Sequence, residues 1–307
     1  MKGLLLVAAI LAILIGAAAV FLVQPLAGTG SPFEGPRADP ERLSRLVRSL
    51  VALGPRHNAA GQASAAQWIR RELEELGSPP AAQQYEAAGA LYQNLIVSLG
   101  PQTPQRLVIG AHYDARGPYP GADDNASGTA ALLELTRMLR GATLPLRTEL
   151  VFYSNEEYGL LGSRHHARSL APGAVRAMIS LEMLGCFSGP QKFPFAPLKL
   201  LYPARGNYIV VVGLPQHAGL VRELKGALQG AGAPVQSINA PAAIPGIGNS
   251  DHRSYWDAAV PAVMVTDTAW YRNPRYHSAS DTPDTLDYRT MAKVVDGVAG
   301  WISNVPR

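Results

Sequence analysis

An unbroken apolar run from Leu4 to Val23 follows Met1-Lys2-Gly3. These twenty residues, at about 1.5 Å rise each, span about 30 Å, the depth of a bilayer core. The pattern predicts a signal anchor over residues 1–24. Ala17-Ala18-Ala19 offers small residues for cleavage, so a removed signal peptide is the other reading. Lys2 as the early charge favours a cytoplasmic N-terminus. Either way the rest of the chain is expected to be extracytoplasmic, membrane-anchored by this N-terminal helix or secreted/periplasmic.

Gln24 to Pro36 is rich in Gly, Pro and Ser, and residues 25–38 read as a linker. Asp39-Pro40-Glu41 then has the form of a helix start, with Asp as cap and Pro in the first turn. Leu43, Leu46, Val47, Leu50 and Val51 repeat on one helical face. A second helix is predicted over 62–76, stopped by Gly77. Strand-like runs follow at 94–98, 106–111, 149–153, 178–182, 208–212 and 261–265, with helical stretches near 127–140, 159–170 and 217–229 and a last one over 288–302. Apolar strands alternating with helices predict an α/β fold: a central mixed, mostly parallel sheet flanked by helices in three layers, forming one domain over residues 39–307.

Composition narrows the chemistry. Of 307 residues, 47% are hydrophobic and 16% charged, enough apolar material for a sizeable core, which excludes disorder and coiled coil. The net charge of +4 has no Lys/Arg cluster behind it, so no nucleic-acid partner is expected. With one cysteine, Cys186, an intramolecular disulfide and any multi-cysteine metal site are excluded. A metal would have to be held by His, Asp and Glu.

Such residues stand where strands end, the place where α/β sheets gather their sites. The 106–111 run leads into His112-Tyr113-Asp114, the 149–153 run into Ser154-Asn155-Glu156-Glu157, and the 178–182 run ends in Glu182. Gly121-Ala122-Asp123-Asp124-Asn125 is a loop before a helix, and Tyr276-His277-Ser278 comes late in the chain. His112 and Asp114 are two apart, so on a strand they face one side, as suits an imidazole oriented by a carboxylate. Adjacent Glu156 and Glu157 allow one to bind a metal and the other to carry a proton.

The chain resembles the co-catalytic zinc exopeptidases of metallopeptidase family 28 over roughly residues 40 to 305. The matching segments are His112-Tyr113-Asp114, the loop Gly121 to Gly128, the stretch Glu156 to Ser163, Leu181-Glu182-Met183, Ser250-Asp251-His252 and His277. The resemblance implies the zinc exopeptidase fold and two zinc ions per chain. One would be held by His112, Asp123 and Glu182, the other by Asp123, Glu157 and His277, with Asp123 bridging. Three carboxylates against two dications leave a charge that a bridging hydroxide cancels. Glu156 is then the general base and Asp114 orients His112. The resemblance also places a cis bond between Asp123 and Asp124 and makes Asp124 a supporting group.

Glu182 stands where many members have Asp. Met183, Trp256, Trp270 and Tyr271 are candidates for an apolar pocket or for ordinary core. Asp251 and His252 are expected to support the site, and His165 and His166 to lie on the surface or behind it. The activity implied is an aminopeptidase acting on peptide substrates. The alternatives are a carboxypeptidase or a glutaminyl cyclase of the same fold, or a receptor-like ectodomain without catalysis.

Overall fold

A computed structural model describes residues 7, 10, 16–17, 19–24, 28 and 30–306. The first helices form where local chemistry starts them. Asp39 accepts a hydrogen bond from the Glu41 N–H and opens α1 (Pro40–Ala52). Asn58 does the same through the Gly61 N–H for α2 (Ala59–Glu75), which therefore begins three residues before the apolar pattern does.

Eight strands follow: β1 (Ala81–Ala87), β2 (Ala90–Leu99), β3 (Arg106–His112), β4 (Arg147–Tyr153), β5 (Val175–Glu182), β6 (Ile209–Gly213), β7 (Val235–Asn239) and β8 (Ala262–Thr266). They form one sheet in the order β1-β2-β4-β3-β5-β8-β6-β7. Its centre is parallel, β4-β3-β5-β8, as is β6-β7, while β1-β2, β2-β4 and β6-β8 are antiparallel. The mixed, mostly parallel sheet expected from the sequence is therefore present. The edge strands escape the apolar pattern because β1 is buried nowhere and β7 buries the polar Ser237 and Asn239.

The remaining helices are α3 (Gly128–Leu139), α4 (Leu161–Ser169), α5 (Ala218–Gly230), α6 (His252–Trp256) and α7 (Tyr288–Asn304). Alternate residues of β3 serve opposite faces. Leu107 and Ile109 join the large core under α1, α2, α3, α5 and α7, while Val108 packs with Ala167 of α4 and Tyr255 of α6. Three layers result, with the central strands buried on both sides.

Part of the Gly/Pro/Ser-rich stretch is packed as well, since Phe33 and Ala38 belong to the large core. Among the described residues no helix is long and apolar enough to cross a membrane, so the N-terminal apolar helix is not supported as a span. Most of the Leu4–Val23 run lies outside the described residues.

Candidate metal centre and active site

The site is assembled at the carboxyl ends of the parallel strands. His112 ends β3 and Glu182 ends β5. Glu156 and Glu157 follow β4, and His277 arrives from the loop before α7. Asn155, Met183 and His277 all have positive φ, at 54°, 53° and 52°. Non-glycine residues rarely adopt that conformation unless the surroundings impose it, and such positions cluster at functional sites. Here one is a candidate ligand and two adjoin candidates.

Five side chains meet. His112 Nε2 lies 3.4 Å from Asp124 Oδ1 and 3.4 Å from Glu182 Oε2. His277 Nε2 lies 3.0 Å from Asp124 Oδ2 and 3.1 Å from Glu157 Oε1. The two oxygens of one carboxylate thus face two histidines. That carboxylate is Asp124, and this corrects the placement of Asp123 as the bridge. Asp123 points the other way: its Oδ1 accepts from the Gly185 N–H at 2.8 Å and its Oδ2 from Asn273 Nδ2 at 2.7 Å. It sits in a buried group with Cys186 and Asp267. The cis peptide is shifted in the same way, falling between Asp124 and Asn125 rather than between Asp123 and Asp124. The irregular turn over 122–127, with non-helical angles at Asp124 and Asn125, sends adjacent side chains in different directions.

The donor set fits metal ions. His112 Nε2, His277 Nε2 and Glu157 Oε1 are buried and have no hydrogen-bond partner, although acceptors or donors stand within 3.0–3.4 Å. Two ligand atoms on a tetrahedral ion at 2.0–2.1 Å lie roughly 3.3 Å apart. Atoms that converge at this distance without hydrogen-bonding are placed as ligands are. Electrostatics agree. Burial pushes Glu156 well up and raises Glu182, against the opposing pull of the His112 imidazole. Burial and then Asp124 push Glu157 up to about 7. Burial opposes ionisation of Asp124, but the two imidazoles hold it below the usual carboxylate range. So many crowded carboxylates call for positive charge among them.

Glu156 lies with His112 and Glu182, each offering an atom within 4.8 Å of the others. Asp114 serves two neighbours. Its Oδ1 is 3.3 Å from His112 Nδ1, and its oxygens accept from the Glu156 and Glu157 N–H groups at 3.1 and 3.2 Å. One buried carboxylate therefore sets the imidazole and the Glu loop together. Asp281, missed in the sequence, accepts from the Asp123 and Asp124 N–H groups at 2.9 and 3.1 Å. Asn125 ties the same loop to β5 by donating to the Leu181 carbonyl at 2.8 Å and accepting from the Met183 N–H at 3.1 Å.

Arg56, also missed, is fully buried and donates to the carbonyls of Tyr113, Pro120 and Gly121, each at 2.9 Å. It clamps the ends of β3 and of the Asp124 loop. Its partners are backbone atoms, so no sequence pattern announces it.

The other candidates separate. Ser250 donates to Glu182 Oε2 at 2.6 Å. Asp251 is buried with neither oxygen hydrogen-bonded, and burial pushes it up to about 7. His252 turns away, with Nε2 at 2.8 Å from the Ile247 carbonyl. His165 stacks on Tyr85, whereas His166 is buried against Tyr255 at 2.5 Å, not on the surface. Beside Glu182 opens an apolar cleft walled by Tyr208, Val210, Ile238, Met264, Trp270 and Tyr271. Tyr276 belongs to it and stacks on His277 at 3.7 Å. Trp256 donates to the Ala262 carbonyl, and Met183 is buried core; neither is among the residues lining the cleft.

Known proteins agree with this geometry. The sequence pattern of Peptidase family M28 matches residues 94–302. The protein YfbL of Escherichia coli, described as uncharacterized, is 40% identical over 87% of this chain and 88% of its own length. A probable leucine aminopeptidase of Trichophyton verrucosum is 26% identical over 87% of this chain and 72% of its own. Among solved structures, a zinc aminopeptidase from Bacillus subtilis shares the fold with TM-score 0.71 at 15% identity, covering 86% of this chain and 94% of that one. A Bacteroides thetaiotaomicron glutaminyl cyclase shares it equally, with TM-score 0.71 at 21% identity over 89% and 100%. A buried carboxylate facing two histidines, on a sheet of this order and with a family pattern spanning most of the domain, leaves one assignment: the chain belongs to Peptidase family M28.

Proposed function

We propose that the chain is a di-zinc aminopeptidase that removes apolar residues from the N-termini of peptides. The observation that carries the metal chemistry is Asp124, whose two oxygens face His112 and His277. In this reading His112, Glu182 and Asp124 hold one ion and Glu157, His277 and Asp124 the other. Such a pair would supply Lewis acidity and an acidified water.

The side chains then have separate tasks. Asp114 orients His112 and fixes the Glu156–Glu157 loop. Glu156 takes the proton of the attacking water and passes it to the leaving amine. The apolar cleft next to Glu182 receives the side chain of the first residue. The leucine aminopeptidase relatives support release of an N-terminal over a C-terminal residue. A pair of ligand sets sharing Asp124 supports two ions, where a single-zinc cyclase needs one.

The test is hydrolysis of aminoacyl anilides by the zinc-loaded enzyme, with free and N-acetylated substrates in parallel. Cleavage of the free form alone is expected. Ammonia release from N-terminal glutamine without chain cleavage would make the protein a cyclase, and cleavage that survives a chelator would remove the metals from the mechanism.

A further inference from the structure

The chain's net charge falls in one stretch, three of whose bases stand on the segment that lines the cleft while Arg222 and Lys225 lie on α5. Residues 183–250 carry five bases, Lys192, Lys199, Arg205, Arg222 and Lys225, against one acid, Glu223; elsewhere 22 basic and 22 acidic residues balance. The same stretch supplies much of the cleft, including Phe193, Leu198 and Tyr202. Its outer surface is apolar too. Leu200 is 88% exposed and Phe195 50%, with Leu201 and Trp270 also open, among exposed Lys192, Lys199 and Arg205.

The end of the apolar N-terminal run reaches this place independently. Leu22 packs on the cluster of Tyr208, Val210, Val212 and Met264, which are walls of the cleft. Ser237 of β7 links the two segments. Its Oγ donates to the Val23 carbonyl at 2.7 Å, and its own carbonyl accepts from Tyr202 Oη at 2.8 Å. Asn239 Nδ2 adds a bond to the Phe21 carbonyl at 2.9 Å, and Lys225 Nζ bonds the Val23 and Gln24 carbonyls at 2.8 and 2.9 Å. The apolar run therefore emerges beside the apolar, cationic rim.

We propose that the rim from Lys192 to Arg205 rests on an anionic bilayer surface, with Phe195 and Leu200 among the headgroups, so that the cleft opens in the membrane plane. Exposed apolar side chains flanked by cations are what such a surface binds, and the attraction fades beyond a Debye length. On the aminopeptidase reading, apolar N-termini lying in the interface reach the cleft directly; the lipid contact itself is independent of that reading.

The test uses the full chain with Leu200→Cys carrying an environment-sensitive fluorophore, native Cys186 being buried. A label at Gln105→Cys, beside the amino end of β3, is the control. The chain is reconstituted into phosphatidylcholine vesicles with and without phosphatidylglycerol. With phosphatidylglycerol, the label at 200 should shift to the blue and be quenched by brominated lipid at least threefold more than the control. Lys199→Glu with Arg205→Glu should abolish the difference, as should high salt, because each cation is worth roughly fivefold in binding.

Equal insertion with and without the anionic lipid would overturn the proposal. So would a label at 200 that stays as open to aqueous iodide as the control, or a blue shift already present in detergent that grows with protein concentration, which would mean contact between copies. Anilide hydrolysis by the same samples reads the peptidase chemistry separately, and the double variant should keep it.

Discussion

The Nε2 atom of His277 stands 3.0 Å from Oδ2 of Asp124, while the neighbouring Asp123 is held by Gly185 and Asn273. The two aspartates therefore have separable roles. Asp124→Asn should lower bound zinc by about one ion or more per chain and reduce turnover by at least 10³-fold. Asp123→Asn, which keeps a side chain able to bond Gly185, should retain both ions. Elemental analysis of the two purified variants decides, and the reverse pattern would return the bridge to Asp123.

Glu156→Gln removes the proton carrier while leaving the ligand set intact. General acid–base help contributes roughly 10²–10⁴-fold, so kcat should fall in that range with unchanged zinc content. A loss under tenfold would mean that another group moves the proton.

Metal removal should change the pH dependence of stability. Burial raises Asp251, Asp281 and Glu157 to about 7 and Asp267 to about 6. These groups bind more protons folded than unfolded between about pH 4 and 7, so their stabilisation is present at low pH and lost as pH rises through 6–7. His166 and His252, pushed down by burial to about 3 and about 4, act in the opposite sense below about pH 6.5 but are outnumbered. Chelated protein should therefore melt at a higher temperature at pH 5.5 than at pH 8. Zinc at 100 times its Kd adds about 2.7 kcal/mol and should reverse the order, since deprotonated ligands bind it best. Thermal midpoints at both pH values, with and without chelator, measure this.

Arg56→Met should destabilise the fold by about 2 kcal/mol or more. The Tyr113 and Pro120 carbonyls would lose the Arg56 donor, at roughly 1–3 kcal/mol for each one left unsatisfied, while the Gly121 carbonyl keeps the Ala126 N–H. Denaturant titration reads the loss, and Arg56→Lys should recover part of it. A change under 1 kcal/mol would show that the loop holds itself.

Regular periodicity made the central strands and most helices legible; strand ends led to His112, Glu157 and Glu182 and the family resemblance to His277, and the structure brings the four together. The choice between Asp123 and Asp124 was not legible. They are identical side chains in consecutive positions of an irregular turn, where no period says which one points inward. Arg56 and Asp281 were hidden for another reason: they act on backbone atoms, and any residue can supply a carbonyl or an N–H. Whether His166 lay on the surface or behind the site was open in the sequence, because its partner, Tyr255, lies 89 positions away. Edge strand β1 has no buried face, and two of the three buried positions of β7 are the polar Ser237 and Asn239, so neither shows the apolar alternation that marks a strand.

Gly28 and Gly30 lie flat against α5, where Gly30 donates to the Gly226 carbonyl at 2.8 Å. A methyl group on Gly226 or Gly230 would sit 2.3 Å from the Gly28 oxygen or 2.1 Å from the Gly30 oxygen. The stretch that composition presents as slack tether is thus inlaid, at Gly28 and Gly30, against helix positions that have no room for a side chain of their own. Two bare positions on a helix make room for Gly28 and Gly30, and a single alanine at either would act as a wedge that unseats them.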